Sequence, residues 1–393
     1  GKWATFPNPA GPAPVAGTSA IYSKWLYLPD ADVFAGYANV TQGVWLYKPA
    51  NEPQAMAPPP TGVKRVCPNG NFDTNCDYGQ LCTALKAAKD GDRIVVRPGI
   101  YHEGCALTAN RITLEAKDAH LTGVAYGGKA NLVVQGNDTV IDGLECSHAY
   151  AEGNGACLRI EGRNVLLRHM HIYDEQMGIL SGGPNGKIVI EDSVIENIGM
   201  PNSDLSHGVY VSENKLGVAD ELDIRRSIIR NSRYEGHLVK SRALRTVIED
   251  SVLSSLGGQN SREIDIPQGG IAIIRDNVIE KGPKSENWDM IGLALEPQFG
   301  IRQQNETTIE GNWLIFDHPD GRIITNRSPG RVHMADNRVV GLGPATLVDK
   351  IKAANLIGRG IDEKNDKYYA TRSAAHLAGY PALPAPGKFP AEE

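Results

Sequence analysis

The chain has 393 residues, with 40 basic and 46 acidic side chains, and its formal net charge is −6. The hydrophobic fraction of 41% and the charged fraction of 22% are typical of a soluble globular protein, and no apolar run approaches the roughly 20 residues that span a bilayer. The acidic balance argues against a general nucleic-acid binder, which carries a basic face.

The first 78 residues are rich in Pro, Ala and Gly and lack periodicity, so we expect residues 1–78 to form an extended N-terminal cap segment. Within this segment the run 43–47 is a candidate strand, and Pro58-Pro59-Pro60 is typical of a stiff linker. The chain starts at Gly1 without an apolar signal segment. Either a leader has been removed, or secretion does not apply.

All six cysteines lie in the first 157 residues. An even number of cysteines, one pair of which brackets a polar loop, favours disulfides in an oxidising compartment. Metal ligation is the alternative, but no CxxC pair is present. The sequence therefore predicts disulfide bonds in a secreted or periplasmic protein. The six are Cys67, Cys76, Cys82, Cys105, Cys146 and Cys157.

The segment 79–93 opens the main domain. Residues 80–89 predict a short helix that ends near Gly91, because glycine suits the left-handed conformation at a helix end. A strand over 93–97 follows and breaks at Pro98-Gly99. We expect one domain over 79–342 and a C-terminal cap and tail over 343–393, which includes a helical segment at 347–354.

From residue 164 onward the sequence repeats short β-branched strands, separated by Gly, Asn or Asp. One small or polar marker position recurs in each unit, with spacings of 23, 34, 24, 26, 35 and 25 residues. A base period near 24 predicts an all-β, single-stranded, right-handed parallel β-helix, in which each coil buries its inward residues against its neighbours. Three successive asparagines at the marker predict an internal amide ladder. The markers are Met170, Ser193, Ser227, Ser251, Asn277, Asn312 and Asn337.

The start of this domain resembles the right-handed parallel β-helix proteins of the pectate-lyase-like superfamily. The resemblance rests on Leu81, Ala84-Leu85, Gly91-Asp92-Arg93-Ile94 and Pro98-Gly99-Ile100-Tyr101, which match a capping helix, a first strand and a PGxY turn. It covers residues 79 to about 342. The resemblance implies the fold, but that fold carries lyases, hydrolases, epimerases, esterases and inert adhesive proteins.

Four segments can be overlaid as one strand in four successive coils. Their apolar alternate residues are expected to point inward, which leaves Tyr210, Lys240, Glu263 and Asp265 pointing outward or towards the strand ends. This stack concentrates Tyr, His, Lys, Arg and carboxylates on adjoining coils. The segments are 177–181, 207–211, 236–240 and 262–266.

A Lys-Ser pair ends the third of these strands, and Glu235 stands five residues before Lys240. This pattern looks like the motif of the alginate lyase and chondroitinase B family. The resemblance implies that Lys240 is the base that removes the sugar C5 proton and that Glu235 is a calcium ligand. The family's Arg on the next coil has no direct counterpart, so Arg262 or Arg242 would have to substitute.

Elimination across C4–C5 of a uronate needs a neutralised carboxylate, a base at C5 and a proton for O4. Lys240 is the candidate base, with Arg242, His207, Tyr210 and His237 as further candidates for catalysis.

We expect neighbouring cations to lower the pKa of Lys240 towards that of a useful base. They are Arg242 and the arginines of the same two coils at positions 225, 226, 230, 233 and 245. Three of them have an alternative interpretation as a solvated strand face. They are Arg225, Arg226 and Arg245.

His237 has an alternative role as a core histidine. Lys240 and Arg242 have another as partners of Asp265 and Glu263 in a structural ion ladder. Glu296 fits at most as a contact at the rim of the site.

Candidate substrate contacts are the cations Arg262 and Arg233 and the sugar-stacking aromatics Tyr234 and Trp288. Possible calcium ligands, besides Glu235, are Glu263 and Asp265.

These residues predict a monomeric lyase that cleaves an anionic, uronic-acid-containing polysaccharide by β-elimination. The alternatives are a glycoside hydrolase with paired carboxylates (Glu263 with Asp265, or Asp265 with Glu235), a uronan C5-epimerase, and a non-catalytic carbohydrate-binding β-helix.

Overall fold

The computed structural model describes residues 62–68, 75–152, 154–201, 206–341 and 360–377, together with the backbone of four further strands. The chain divides into two compact units, residues 1–59 and 60–393. The described part of the first unit is an antiparallel three-stranded sheet, and the strand predicted near 43–47 is its third member. Its strands are Trp25–Leu28, Val33–Gly36 and Trp45–Tyr47.

The second unit is the predicted parallel β-helix. Its coils, about 11 of them in the described part of the chain, stack parallel strands into three sheets that we name A, B and C in the order the chain visits them. In two early coils, one long strand serves both sheet A and sheet B: Thr113–Thr122 and Thr139–Ser147.

The remaining strands of sheet A are Val63–Val66, Arg93–Val96, Val165–Arg168, Lys187–Glu191, Glu221–Arg225, Arg245–Glu249, Ile271–Arg275, Glu306–Glu310, Arg331–Ala335 and Ile361–Lys364. Those of sheet B are Gly99–Tyr101, His171–Tyr173, Val194–Glu196, Ile228–Arg230, Val252–Ser254, Val278–Lys281, Trp313–Phe316, Arg338–Val340 and Lys367–Tyr369. Those of sheet C are Cys105–Leu107, Ala130–Val134, Ala156–Ile160, Met177–Gly182, Val209–Asn214, His237–Ser241, Arg262–Ile266, Asp289–Leu293, Arg322–Asn326 and Leu356–Gly358. A short strand, Gly217–Val218, pairs antiparallel with the end of Val209–Asn214.

The solenoid extends beyond the segment 79–342 at both ends. Val63–Val66 pairs with Arg93–Val96, and Ile361–Lys364 pairs with Arg331–Ala335. These flanking strands carry the β-branched or alternating pattern too weakly to be recognised from composition.

Helices are short in the described residues. The helix predicted over 80–89 is confirmed as Leu81–Lys86, which buries Leu81, Ala84 and Leu85 against the first coils. The others are a 3₁₀ turn at Pro297–Phe299 and a helix at Arg372–Leu377. None of the described helices is long and apolar enough to cross a membrane. The helical segment expected at 347–354 lies outside the described residues.

The predicted disulfides are confirmed, and all six cysteines are used. Cys67 bonds to Cys76, Cys82 to Cys105, and Cys146 to Cys157. The second bond ties the capping helix to sheet C, and the third joins a sheet B strand to the next sheet C strand.

The predicted amide ladder runs inside the corner between sheets A and B. The Asn277 N–H donates to Asn312 Oδ1 at 2.9 Å, and the Asn312 N–H donates to Asn337 Oδ1 at 3.0 Å. Their side-chain amides donate to backbone carbonyls of earlier coils, so the chain can turn without leaving buried polar groups unpaired. In the preceding coils the same hydrogen bonds are made by the hydroxyls of Ser193, Ser227 and Ser251.

Candidate active site on sheet C

The outer face of sheet C carries the polar residues that the sequence pointed to. Val209, Val239 and Ile264 are fully buried in the core, so their neighbours Tyr210, Lys240 and Asp265 fall on the opposite face. These outward residues are direct partners on three adjacent strands. The row is Leu180, Tyr210, Lys240, Asp265 and Gly292.

This register corrects the overlay of the third segment by one residue. His237, not Gly236, pairs with Arg262, and Lys240 rather than Val239 stands opposite Tyr210. Gly236 lies in the turn before the strand, at φ +152°, where a Cβ would come within 2.3 Å of a backbone oxygen. The turn therefore takes one residue more than the alternation of the sequence indicates.

Two cations of one strand hold a single carboxylate. Lys240 Nζ lies 2.6 Å from Glu296 Oε1, and Arg242 Nη2 binds Glu296 Oε2. Both cations are buried, being 8% and 7% exposed. Burial raises the pKa of Glu296, but the hydrogen bonds from Lys240 and Arg242 outweigh it and hold that pKa below its ordinary value. We name Lys240, Arg242 and Glu296 the carboxylate clamp.

Tyr210 lies against the clamp. Its Oη accepts a hydrogen bond from Arg242 Nε at 3.1 Å and one from Ser212 Oγ at 3.3 Å. The ring lies 5.6 Å from Lys240 Nζ and meets the edge of His207 at 5.0 Å. Because the phenol oxygen already accepts twice, its own proton is free to be donated to a ligand.

His207 and His237 form a buried stack beneath this row, with ring centroids 5.2 Å apart. His207 Nδ1 accepts the His237 N–H at 2.9 Å, and His237 Nδ1 accepts the Arg262 N–H at 3.1 Å. Burial, followed by nearby Lys240, lowers the pKa of His207 to about 3, and burial and the neighbouring His207 lower that of His237 well below its usual value. Both rings are therefore neutral, and each keeps its proton on Nε2. Of the two roles considered for His237, the buried one is correct.

Asp265 links the histidines to the next coil. Its Oδ2 lies 3.4 Å from His237 Nε2 and 3.8 Å from Lys240 Nζ, and its Oδ1 lies 3.7 Å from Arg262 Nη1. Burial raises the pKa of Asp265 to about 6, although Arg262 and Lys240 oppose that rise. Gly292 leaves room for the side chains of Asp265 and Arg262, since a Cβ at position 292 would lie 2.9 Å from Asp265 Oδ1 and 2.9 Å from Arg262 Cδ.

This cluster contains buried polar atoms that make no hydrogen bond. The buried atoms without a hydrogen-bond partner include Arg242 Nη1, Arg262 Nε and Asp265 Oδ1. Buried polar groups are almost always paired in folded proteins. Three unpaired atoms within one cluster therefore indicate a surface prepared to bind a polar ligand.

The aromatic and cationic candidates for substrate contact lie at the edges of the cluster. Trp288 is half-exposed, and the guanidinium of Arg322 stacks on its ring at 4.5 Å. Arg262 Nη2 lies 3.6 Å from Asp289 Oδ2, and Asp289 is the residue after Trp288. We call the outward polar residues from Tyr210 to Asp289 the polar strip.

Arg233, Tyr234 and Glu235 do not join the cluster. They occupy the turn before strand His237–Ser241, where Arg233 pairs with Asp174 and Glu235 is exposed. Although Glu235 stands only five residues before Lys240, it is exposed on the turn, whereas Lys240 lies within the strand on the outer face of sheet C.

The three proposed calcium ligands do not form one site. Glu263 is fully buried and binds Lys281 Nζ at 3.3 Å and Asn260 Nδ2 at 2.9 Å, so it serves as an internal ion pair. Glu235 is exposed on the turn, and Asp265 faces three cationic or imidazole groups. These residues do not fit a shared cation.

Only one group of three possible metal ligands is found among the described residues. It consists of Cys82, Glu103 and Cys105, and its two cysteines are joined in a disulfide. This group therefore offers no thiolate to a metal.

The arginines of the preceding coils do not lie beside Lys240, contrary to the prediction. Sheet A and the corner that follows it carry three of them on the solvated face, and a fourth is buried in sheet B, each bound to a carboxylate. The pairs are Arg225–Asp223, Arg226–Asp192, Arg245–Glu221 and Arg230–Glu196, at 2.8, 2.8, 2.6 and 2.6 Å. The cations that matter to the site are instead Arg242 and Arg262.

The loop 294–305 supplies residues that sequence reasoning missed or undervalued. Glu296 is the partner of both clamp cations, and Phe299, 60% exposed, lies under the guanidinium of Arg242 at 5.3 Å. Arg302 fixes the loop by donating to Glu213 Oε2 at 2.9 Å and to the Arg242 carbonyl at 2.7 Å. The spacing of 35 residues between the markers Asn277 and Asn312 was the available signal, because an inserted loop on a solenoid often builds its binding face.

No protein-family profile and no curated protein matches the chain. Solved structures do resemble it at low identity. An alginate lyase from Paenibacillus sp. str. FPU-7 is 18% identical, with 74% of this chain and 96% of that chain covered and a TM-score of 0.49. A pectin methylesterase from carrot is 12% identical, with 77% and 88% covered and a TM-score of 0.42. The pectate lyase Pel9A is 12% identical, with 78% of each chain covered and a TM-score of 0.36. At identities this low, the functional conclusion rests on the geometry of the site.

Proposed function

We propose that this protein is a polysaccharide lyase that cleaves uronic-acid-containing chains by β-elimination on the outer face of sheet C. The observation that carries this proposal is the carboxylate clamp beside Tyr210: two buried cations hold a carboxylate next to a phenol whose proton is free. A uronate needs the same three functions, which are neutralisation of C6, a base for C5 and an acid for O4.

The reaction balances with residues of two adjacent coils. Once the substrate carboxylate has bound the two cations, the Lys240 ammonium releases its proton to solvent. The resulting amine takes the C5 proton, and the electron pair passes into the C6 carboxylate, which Arg242 neutralises. The C4–C5 double bond then forms as the C4–O4 bond breaks, and Tyr210 Oη–H gives its proton to the departing oxygen. Transfer of a proton from the Lys240 ammonium to the phenolate restores Tyr210, and Lys240 then regains from solvent the proton that it first released.

Neutral His207 and His237 are positioning residues in this scheme. Each fixes a backbone N–H with Nδ1, and His237 directs its Nε2 towards Asp265. Trp288 and Phe299, both exposed beside the polar strip, are the surfaces that would stack on sugar rings. The three disulfides support a secreted or periplasmic location.

A glycoside hydrolase is the second candidate. Asp265 and Glu296 both contact Lys240, and their environments move their pKa values in opposite directions, which is the arrangement expected of an acid and a base. The carboxylate pairs expected from the sequence are not available, because Glu263 is bound to Lys281 and Glu235 is on another surface.

A screen of alginate, pectate and glycosaminoglycans separates these functions. Elimination produces an unsaturated uronate with new ultraviolet absorbance, whereas hydrolysis produces reducing ends without it. We expect the absorbance to appear with at least one uronan. Reducing ends without absorbance would instead establish the hydrolase.

Substitution Lys240→Ala tests the base. We expect the elimination rate to fall at least about 100-fold, the contribution typical of a positioned acid or base. Exposed Lys86 on the capping helix provides the matched control, and Lys86→Ala should keep the wild-type rate. Wild-type activity in folded Lys240→Ala would show that another residue is the base.

A further inference from the structure

We propose that Glu296 is a resident counter-ion standing in for the substrate carboxylate, and that an ionised sugar acid binds by displacing it from Lys240 and Arg242. This inference rests on the proposed function, since it concerns how the same site selects its substrate. It assigns to Glu296 the role of a specificity-determining residue.

The contacts of Glu296 are those that a bound uronate would make. The Glu296 carboxylate bridges Lys240 and Arg242, and Arg242 also donates a hydrogen bond to Tyr210 Oη. Its side chain is 24% exposed, against 10% and 8% for the two cations. The anion thus lies on the solvent side of the cations, where an incoming ligand would arrive.

Glu296 can leave without breaking the sheet. It belongs to the loop 294–305, which is held by backbone and arginine contacts other than the Glu296 carboxylate. The Glu296 N–H donates to the Pro267 carbonyl at 2.9 Å, and Arg302 binds Glu213 at 2.9 Å. Rotation of one side chain would therefore expose both cations while the loop stays in place.

Exchange of one carboxylate for another accounts for selectivity. Lys240 and Arg242 satisfy one carboxylate, and a second anion beside an occupied clamp would meet like charge. Arg242 Nη1, which has no partner, gives an incoming carboxylate a donor that Glu296 does not use. A neutral or methyl-esterified sugar brings no charge to replace Glu296, and would leave two buried cations unpaired.

Displacement also lowers the apparent affinity. When a site must first lose an internal ligand, the observed affinity is reduced by the fraction of molecules in the open state. Removal of the Glu296 charge should therefore strengthen binding of an acidic oligosaccharide. A residue that merely supported Lys240 would have the opposite effect.

The experiment measures binding by calorimetry in the Tyr210→Phe background, which slows turnover but keeps the clamp cations. The ligands are a hexamer of the uronan that the wild type cleaves and its methyl ester. Glu296→Gln should bind the acidic hexamer about 10-fold more tightly than the parent, with less than a twofold change for the ester. Exposed Glu306 on sheet A gives the control of equal charge change, and Glu306→Gln should leave both affinities within twofold.

Unchanged or weaker binding of the acidic hexamer by Glu296→Gln would overturn the displacement. Equal tightening for acid and ester would overturn it as well, because that result would mean only that the site had been opened sterically. If thermal melting shows that the Glu296→Gln variant is not folded, Glu296→Ala provides the same comparison. If the wild type cleaves a uronan by elimination and either of these results is found, the displacement is wrong but the proposed function stands. If the wild type neither binds nor cleaves any uronan, both the proposed function and the displacement are wrong.

Discussion

Tyr210 is the residue whose role follows most directly from its hydrogen bonds. Its oxygen accepts from Arg242 and Ser212, so the one proton it carries points away from both. Its place opposite Lys240 on the next strand puts the proposed acid and the proposed base about one strand spacing apart. Elimination from one sugar ring requires two groups at about this separation, because C5–H and O4 are close neighbours.

Substitution Tyr210→Phe should therefore reduce kcat about 100-fold or more while KM changes less than threefold, since the ring and its contact with His207 are retained. Steady-state kinetics by ultraviolet absorbance measures both constants. Exposed Tyr150 offers the control, and Tyr150→Phe should match the wild type. A Tyr210→Phe enzyme with raised KM and unchanged kcat would assign Tyr210 to binding instead of proton transfer.

The ladder between sheets A and B is the element whose energetics are simplest to test. Asn312 accepts two hydrogen bonds from Asn277 and donates to the Ile274 carbonyl and to Asn337. Asn312→Ala leaves the buried Asn277 N–H and the Ile274 carbonyl unpaired, which costs about 1–3 kcal/mol each. We expect the free energy of unfolding, measured in urea, to fall by about 3 kcal/mol.

The chain itself suggests the control for this variant. Ser193, Ser227 and Ser251 occupy the same corner in earlier coils and accept the backbone N–H through a hydroxyl. Asn312→Ser should therefore restore the acceptor for Asn277 and recover about half of the lost stability. Equal losses for Ala and Ser would show that volume, not hydrogen bonding, dominates at this corner.

The strands of this fold were predictable, whereas the contacts made by its loops were not. Alternation and the recurrent marker defined the coils because each coil buries the same kind of residue at the same place. Successive marker residues are hydrogen-bonded to each other in the ladder: Asn277 to Asn312, 35 residues apart, and Asn312 to Asn337, 25 residues apart. The one-residue error at Gly236 shows the limit: the length of a turn is set by close backbone contacts that a pattern does not contain.

The candidate site was predicted in part. Tyr210, Lys240 and Asp265 came together because they are register partners on three adjacent strands. Arg242 and the two histidines lie within three residues of Tyr210 or Lys240 along the chain. Glu263 was expected to point outward, but it is buried and paired with the fully buried Lys281. Lys281 belongs to a strand of sheet B, so the pattern of the sheet C strands alone does not reveal this partner. Glu296 was undervalued because a loop residue has no periodicity that fixes which side chain it will meet.

At the scale of the whole molecule, charge is arranged locally and not as a basic face. The arginines of sheet A are neutralised by carboxylates on the same surface, and the clamp cations by Glu296. We therefore expect an anionic substrate to be held by a few exchangeable contacts and not attracted by a long-range field. We expect KM to depend only weakly on salt up to about 0.1 M, because buried ion pairs are screened little.

The buried histidines make the whole molecule sensitive to acid. His207 titrates at 6.5 in the unfolded chain but its pKa is about 3 in the folded protein, so the unfolded state binds more protons between these values. The stabilising contribution is complete above pH 6.5 and is lost as the pH falls, by about 2 kcal/mol at pH 5. His237 acts in the same direction, because its pKa is also lowered.

Asp265 opposes this trend. Burial raises its pKa from 3.8 to about 6, so the folded state binds the proton more tightly and gains about 1 kcal/mol between pH 7 and pH 5. The histidines outweigh it, and we expect the wild type to be less stable at pH 5 than at pH 7. His207→Asn should lose about 2 kcal/mol less over this interval, since Oδ1 still accepts the His237 N–H but cannot be protonated. Urea unfolding at the two pH values measures the difference, with exposed His333→Asn as the control. Equal pH dependence in the wild type and His207→Asn would mean that His207 is not the group that charges on unfolding.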